Sequence, residues 1–419
     1  MPGQTKATNL RAQLFTPTLT VLFTAFIAVT YGFGIYLFPV IMADMRDTLG
    51  FTYEQAGIAT AGGQIGFLLA ALVTSPLSNR YGGGWVVLAS IGICAAGLFA
   101  LYQVPDIWLA AVWLTITGGT AASAYIPMVE ICQRYIDSRH RGKVLGLISS
   151  GTSYGVFING LIVPVALASG GWRQAWLYVA LGTTVLVVLS AIFLFATGLL
   201  RRPGADASAR SQTASGGSGQ AWIHRAMASI NSQVLLIWAL MFINGFACLS
   251  FQSYFASYLR EELGFSATFS SSLWTLIGFV GMGGGLAMGA LADWLTLRVS
   301  MGLSYIFIAS ASLLLLNPID PALLYVAAIT FALGFYAIFG LVPAYISQVT
   351  DTRRSTVVFG VGNILLGVGA MIGNYVGGFL RTATGTFEWT YILVIVGMVG
   401  AIVTTVALPC ERRQFAPAE

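Results

Sequence analysis

Long apolar stretches dominate this chain, broken at short intervals by polar or glycine- and proline-containing turns. The stretches fall near residues 16–43, 54–78, 85–103, 107–133, 143–168, 174–199, 234–259, 268–292, 299–316, 322–348, 356–380 and 388–408. Each is as long as the ~17–25 residues that a helix needs to cross a bilayer. Hydrocarbon offers the backbone no hydrogen-bond partner, so a spanning segment must be a helix or part of a closed barrel, and runs this long select helices. The pattern predicts an all-α membrane protein with twelve transmembrane helices. One longer interruption, from Arg201 to Gln233, contains the run Ser208 to Gly219, too polar and small to bury a core. It divides the chain into a six-helix bundle over 1–200, a flexible cytoplasmic linker over 201–233 and a second six-helix bundle over 234–419.

Composition agrees with the pattern. Charged residues are 8% of 419 and hydrophobic residues 57%, where soluble domains carry about 25% charge. Lys6 and Arg11 precede an apolar segment much longer than a signal-peptide core, so that segment is expected to stay as the first helix. When the loops alternate sides, Arg46, Arg173, Arg260 and Arg381 fall on one face and the remaining sixteen of the 20 basic residues on the other. The positive-inside rule then puts both termini in the cytoplasm. The chain has no N-x-Ser/Thr sequon and its outer loops are short, which suits a bacterial inner membrane. A net charge of +5 forms no basic stripe, so nucleic acid is not an expected partner. Cys94, Cys132, Cys248 and Cys410 are scattered, and His140 and His224 stand in loops without a nucleophile or metal cluster. No catalytic residue, metal or cofactor is expected.

The chain also repeats itself. At an offset of 214, the run Arg46-Asp47-Thr48-Leu49-Gly50-Phe51-Thr52 aligns with Arg260-Glu261-Glu262-Leu263-Gly264-Phe265-Ser266, after helices one and seven. The same offset pairs Asp137 with Asp351, Arg139 with Arg353 and Gly155 with Gly369, and an offset of 216 pairs Gly118 and Pro127 with Gly334 and Pro343. Polar matches in equivalent loops point to duplicated halves, and such transporters place their site near the midplane, between the repeats.

Between helices two and three stands Ser75-Pro76-Leu77-Ser78-Asn79-Arg80-Tyr81-Gly82-Gly83-Gly84, and between eight and nine Gly289-Ala290-Leu291-Ala292-Asp293-Trp294, followed by Arg298. These loops resemble the G-x-L-x-D-R-x-G-R-[KR] motif of the major facilitator superfamily, although the first has Asn79 at the acidic position. Gly171-Trp172-Arg173 is also similar to a sequence common in that family. The resemblance implies two pseudo-symmetric six-helix bundles, alternating access and a cytoplasmic latch. The latch is expected to comprise Asn79, Arg80, Glu130, Arg134, Asp293 and Arg298, with Arg80 paired to Glu130 and Asp293 capping helix five across the lobes.

No ionisable residue falls at mid-membrane, and Leu114 stands where many proton-coupled relatives carry a basic residue. The cavity candidates are therefore uncharged: Thr30, Tyr31, Gln64, Tyr125, Tyr154 and Asn159 in the first half, and Asn244, Gln252, Tyr336, Asn363 and Asn374 in the second. The spacing of Asn244, Cys248 and Gln252 puts them on one face of an α-helix. For each single residue the competing role is an interhelical hydrogen bond that holds the bundle together. The leading expectation is a monomeric secondary or facilitative transporter of a small organic solute. A weak organic acid is favoured by resemblance to carboxylate carriers with sparse membrane charge, and a coupling proton is left open. Efflux of hydrophobic compounds and a non-transporting membrane sensor are the alternatives. The absence of a Walker motif argues against an ATP-driven pump.

Overall fold

The computed structural model describes residues 3–200, 230–316 and 320–411. Twelve helices in it are long and apolar enough to cross a membrane. In the first half they are α1 (Phe15–Leu49), α2 (Tyr53–Tyr81), α3 (Gly83–Tyr102), α4 (Ile107–Tyr135), α5 (His140–Gly170) and α6 (Trp172–Ala196). In the second they are α7 (Ser232–Glu261), α8 (Ala267–Trp294), α9 (Leu297–Leu316), α10 (Pro321–Val349), α11 (Arg354–Thr384) and α12 (Glu388–Ala407). Most of the linker expected over 201–233 lies outside the described residues. We call the side where α1 begins and α12 ends the terminal side, and the other the distal side.

The two halves pack alike. In the first, α1 lies on α5, α2 on α4, and α3 on α4 and α6; in the second, α7 lies on α11, α8 on α10, and α9 on α10 and α12. The halves meet where α2 crosses α11, α5 crosses α8, and α1 runs beside α7. These are two pseudo-symmetric six-helix bundles.

Local chemistry explains the repeated sequence. Gly50 and Gly264 both adopt a left-handed φ of +70° just past α1 and α7, a conformation that costs glycine little. Thr52 then caps α2 through a reciprocal box with Gln55, at 3.2 and 2.9 Å, and Ser266 caps α8 by accepting from Phe269 N–H at 3.2 Å. Asp106 and Asp320 do the same for α4 and α10, accepting at 2.8 Å from Trp108 N–H and Ala322 N–H. The helices α1 and α7 run past their apolar stretch, so Asp44, Arg46, Arg260 and Glu261 sit on their last turns, where hydropathy alone ends those helices at about residues 43 and 259.

Both α1 and α7 widen into π-helix at mid-span, over Ala28–Phe33 and Asn244–Cys248. In α1, Tyr36 N–H reaches Tyr31 O rather than Gly32 O, and Pro39 has no N–H to offer Ile35 O. Neighbouring helices supply donors to this stretch: Asn159 Nδ2 replaces the lost bond to Gly32 O at 2.7 Å, and the Thr117 hydroxyl donates to Gly34 O at 3.0 Å. A methyl group added at Gly155 would strike the backbone of Ala28 and Gly32, and one at Gly245 the backbone of Leu366 and Ala370. The widened turns are therefore pressed directly onto α5 and α11. Replacing Gly155 with alanine is expected to destabilise the fold by about 1–3 kcal/mol through overpacking, read as a lower melting temperature of the purified protein. Gly146→Ala on the same helix, where an added methyl meets open space, is the control and should melt no lower than the parent.

Candidate functional site

Polar side chains from both halves converge beside the two π-helical turns. Tyr31 lies within electrostatic range of Tyr125 and Tyr36, and Tyr36 of Cys248 and Tyr336. Gln252 and Ser153 flank the Tyr336 hydroxyl without closing a hydrogen bond to it, and Asn244 and Cys248 lie near Tyr305. The cluster thus links α1, α4 and α5 of one half to α7, α9 and α10 of the other. A cavity lined by Tyr36, Thr60, Gln64, Ser253 and Asn374, among others, adjoins it.

Many of these polar groups are unsatisfied. Asn244 Oδ1, both polar atoms of the Gln252 amide, and the hydroxyls of Tyr305 and Tyr336 are buried with no hydrogen-bond partner. An unpaired buried polar group costs about 1–3 kcal/mol, so a cluster of them sets this region apart from the rest of the interior. No aspartate, glutamate, lysine, arginine or histidine stands among them, so recognition here is by amide and hydroxyl.

The expected residues divide accordingly. Tyr31, Tyr125, Asn244, Gln252 and Tyr336 come together in the cluster, and Gln64 lines the adjoining cavity. Thr30 does not present a free group, because its hydroxyl donates to Phe26 O of its own helix at 2.8 Å. Asn159 supports the widened turn of α1 through its Nδ2, and Asn363 bonds back to Phe359 O at 2.9 Å. Asn374 receives the Ser253 hydroxyl on Oδ1 at 2.9 Å and Tyr254 OH on its carbonyl, tying α11 to α7. Tyr154 is half-buried on α5. The spacing of Asn244, Cys248 and Gln252 presumes a regular α-helix, whereas the first two lie in a π-helical turn. Asn244 and Cys248 accordingly approach Tyr305 while Gln252 meets Tyr336.

On the terminal side the pairs differ from those expected. Glu130 pairs with Arg134 at 3.3 Å and receives the Ser78 hydroxyl at 3.1 Å, while the Arg80 guanidinium lies over the Tyr81 ring at 5.4 Å. Arg134, one turn from Glu130 on the same helix, reaches it with less side-chain ordering than Arg80 would need. Asn79 is half-buried. Asp293 is exposed and forms no ion pair among the described residues, and the helical residues leading into α5, which it is expected to cap, lie outside those whose side chains are described. Arg298 turns to its own lobe, donating to Leu408 O at 2.8 Å at the end of α12.

The distal side is closed by a charge network absent from the sequence-based candidates. Arg260 grips Asp44 with two bonds, one of 2.8 Å, and Arg46 reaches Glu261 at 3.5 Å, so each half's arginine takes the other half's acid. Tyr53 OH donates to Glu261, and Arg381 stands 3.7 Å from Glu261 and 4.0 Å from Glu262. Glu262 in turn accepts from Phe387 N–H at 2.8 and 3.0 Å, at the start of α12. Arg46 and Arg381 both lie over the Tyr53 ring, at 5.0 and 5.6 Å. Part of the signal is present in the sequence, because Arg46, Arg260, Glu261 and Glu262 belong to the repeated Arg-acid run, whereas Asp44, Tyr53 and Arg381 lie outside it.

A sequence profile of the Major Facilitator Superfamily matches residues 24–373. A Haemophilus influenzae protein whose name assigns it to metabolite transport is 24% identical over 350 residues, covering 82% of this chain and 83% of its own. Solute carrier family 22 member 18 of Rattus norvegicus is 28% identical over 171 residues, 40% of this chain and 41% of its own. The fold is similar to that of the nucleoside transporter NupG, with a TM-score of 0.75 at 14% identity over 93% of this chain and 98% of that one. It is similar also to a bacterial homologue of the human lysosomal transporter Spinster, in an inward-facing and unoccupied conformation. There the TM-score is 0.69 at 14% identity over 94% of this chain and 95% of that one.

Removing the Glu261 side chain takes away the partner of Arg46, Arg381 and Tyr53 at once. Losing a partly buried charged partner costs about 1.5–3 kcal/mol, a tenfold or larger change in the balance between distal-closed and distal-open forms. Spin labels at the exposed positions Asp47 and Thr384 are expected to show a longer-distance population in Glu261→Ala than in the parent. An unchanged distance distribution would remove the clamp from the gating scheme.

Proposed function

Since the chain belongs to the major facilitator superfamily, we propose that it carries a small organic solute, a weak organic acid in the first instance, by alternating access. The terminal side faces the cytoplasm of a bacterial inner membrane, and the unit works as a monomer. The observation that carries the reading is the group of buried, unpartnered amide and hydroxyl atoms around Gln252, Asn244, Tyr305 and Tyr336, at the meeting of the two halves. A solute that pairs with these atoms regains hydrogen bonds that the empty protein lacks, which gives it differential affinity for a closed, occupied form. The scarcity of charge at mid-span favours neutral or weakly charged solutes over dianions.

In this scheme the Arg260–Asp44 and Arg46–Glu261 pairs seal the outer side while the solute exchanges with the cytoplasm. Rocking of the halves separates α1 from α7 distally and brings the terminal ends together, where Asp293 is free to reach the other lobe as the second half of a latch. Asn79, being neutral, makes the corresponding contact of the first half the weaker one. The absence of a membrane-embedded carboxylate weighs against proton-driven efflux of hydrophobic compounds.

A ligand-induced thermal-shift screen on the purified protein, followed by counterflow of any hit in proteoliposomes, tests the reading. Saturable counterflow supports transport, whereas a ligand that stabilises the protein without flux would make it a sensor. Tyr336→Phe removes one unpartnered hydroxyl and so should leave the melting temperature of the empty protein unchanged. It is expected to weaken solute affinity by up to about tenfold, the worth of one neutral hydrogen bond.

A further inference from the structure

Gln252 is 1% exposed, and neither its Nε2 nor its Oε1 has a hydrogen-bond partner. Along one edge a primary amide so placed offers one donor and one acceptor side by side, and a group that offers the reverse pair satisfies both at once. A protonated carboxyl is such a group, with a carbonyl oxygen to accept and a hydroxyl to donate. A carboxylate has acceptors alone, so one of its oxygens would face Oε1 lone pair to lone pair, in a low-dielectric setting where that contact is unfavourable.

The surroundings supply hydroxyl donors but no positive charge to offset an anion. The titratable groups around Gln252 are Tyr336 of α10, Tyr36 of α1, and Cys248 and Tyr305 one step further, all neutral near pH 7. The charged groups of the helices packed against α7 stand at their two ends, Asp44, Arg46, Asp47, Arg381 and Glu388 distally and Asp293 and Arg354 on the terminal side. Arg260 itself stands about 12 Å further along α7, at 1.5 Å of rise per residue. The arginines there are already engaged with carboxylates.

Resting on the weak-acid reading above, we infer that Gln252 selects the neutral, proton-bearing form of the solute's acid group. Nε2 donates to the carbonyl oxygen of the acid and Oε1 accepts from its hydroxyl. The proton enters and leaves with the solute, so transport is proton-linked while no group of the protein changes its protonation state. Gln252 is then the specificity-determining residue, and a primary amide of the same shape, which carries the same donor and acceptor at every pH, is an equally good ligand.

The test uses the purified full-length protein and three acid–amide pairs: lactic acid with lactamide, mandelic acid with mandelamide, and benzoic acid with benzamide. Binding is followed by calorimetry and thermal shift from about pH 5 to about pH 8. The expected result is that each acid's apparent affinity falls about tenfold per pH unit, as its neutral fraction does, while the matching amide is unaffected. In Gln252→Leu both members of a pair should lose at least about tenfold in affinity. The empty variant should melt no lower than the parent, because an unpartnered amide has been replaced by an apolar side chain. An acid that binds equally well at both ends of the pH range overturns the inference and leaves the weak-acid reading standing, as does full affinity in Gln252→Leu. If no acid binds at any pH while another solute passes the counterflow assay, the weak-acid reading falls and the inference with it. The pH series needs only the parent protein, so the inference stays open to refutation even if the variant fails to fold.

Discussion

The structure turns on a single requirement, that every backbone amide and carbonyl find a partner where there is no water to provide one. Regular helix meets it without help, and most of the chain is regular helix. Among the described residues, two stretches at mid-span widen into π-helix, Ala28–Phe33 and Asn244–Cys248, and the proposed solute site lies beside them. Each departure displaces ladder bonds that another helix must replace or shield. In α1 Asn159 replaces such a bond and Thr117 donates beside it; in α7, α11 presses its own backbone against Gly245. Irregular backbone at membrane depth is tolerated because protein covers it, and the covering helices are those that bring their polar side chains to the centre. Isolated π-helical turns are frequent at functional sites for the same reason, since they aim side chains off the regular helical stripe.

Much of this could be read in the sequence. Twelve apolar runs gave twelve helices, because in a bilayer hydropathy and backbone satisfaction dictate the same answer. The repeat at Arg46 and Arg260 gave two similar halves, and the turn chemistry of Leu-Gly-Phe-Thr and Leu-Gly-Phe-Ser is that of a left-handed glycine followed by a capping hydroxyl. The centre was legible in part. Tyr31, Tyr125, Asn244, Gln252 and Tyr336 stand out as polar residues in apolar surroundings, and the structure brings them together, with Gln64 on the adjoining cavity. Thr30, Asn159 and Asn363 were chosen on the same ground but bond to nearby backbone, since a short polar side chain in a helix finds a carbonyl one turn away or on the next helix before it finds a cavity. The fine register of α7 was hidden, because nothing in its spacing announces that the helix widens at Asn244. The distal network was overlooked for a different reason: Arg46 and Arg260 were read as loop charges that report topology, whereas the helices continue far enough to carry them into the interface between the halves.

The halves are similar in architecture and unequal in chemistry. The first supplies mostly tyrosines to the centre, Tyr31, Tyr36 and Tyr125. The second supplies the amides Asn244 and Gln252, and with Tyr305 and Tyr336 holds most of the unsatisfied atoms there. At the terminal side the second half keeps the acid, Asp293, where the first has Asn79. Duplication preserves a scaffold through its caps, glycines and packing pairs, while the side chains that meet a ligand or a gate are free to diverge between the copies.

The distal pairs retain a memory of the scaffold's symmetry. Arg46 of the first half takes Glu261, and Arg260 of the second takes Asp44, with Asp47, the repeat counterpart of Glu261, also within electrostatic range. An exchange in which each copy lends its arginine to the other copy's acid is the form of an isologous contact, the kind made when two identical subunits meet across a twofold axis. A six-helix unit carrying only the Arg-acid run would make both pairs by forming a homodimer, with no second motif to invent. Here the two partners are joined in one chain and the acidic side is offset by one helical turn, Asp44 rather than Asp47 taking Arg260, so a contact of dimer form ties the two halves of a single molecule together.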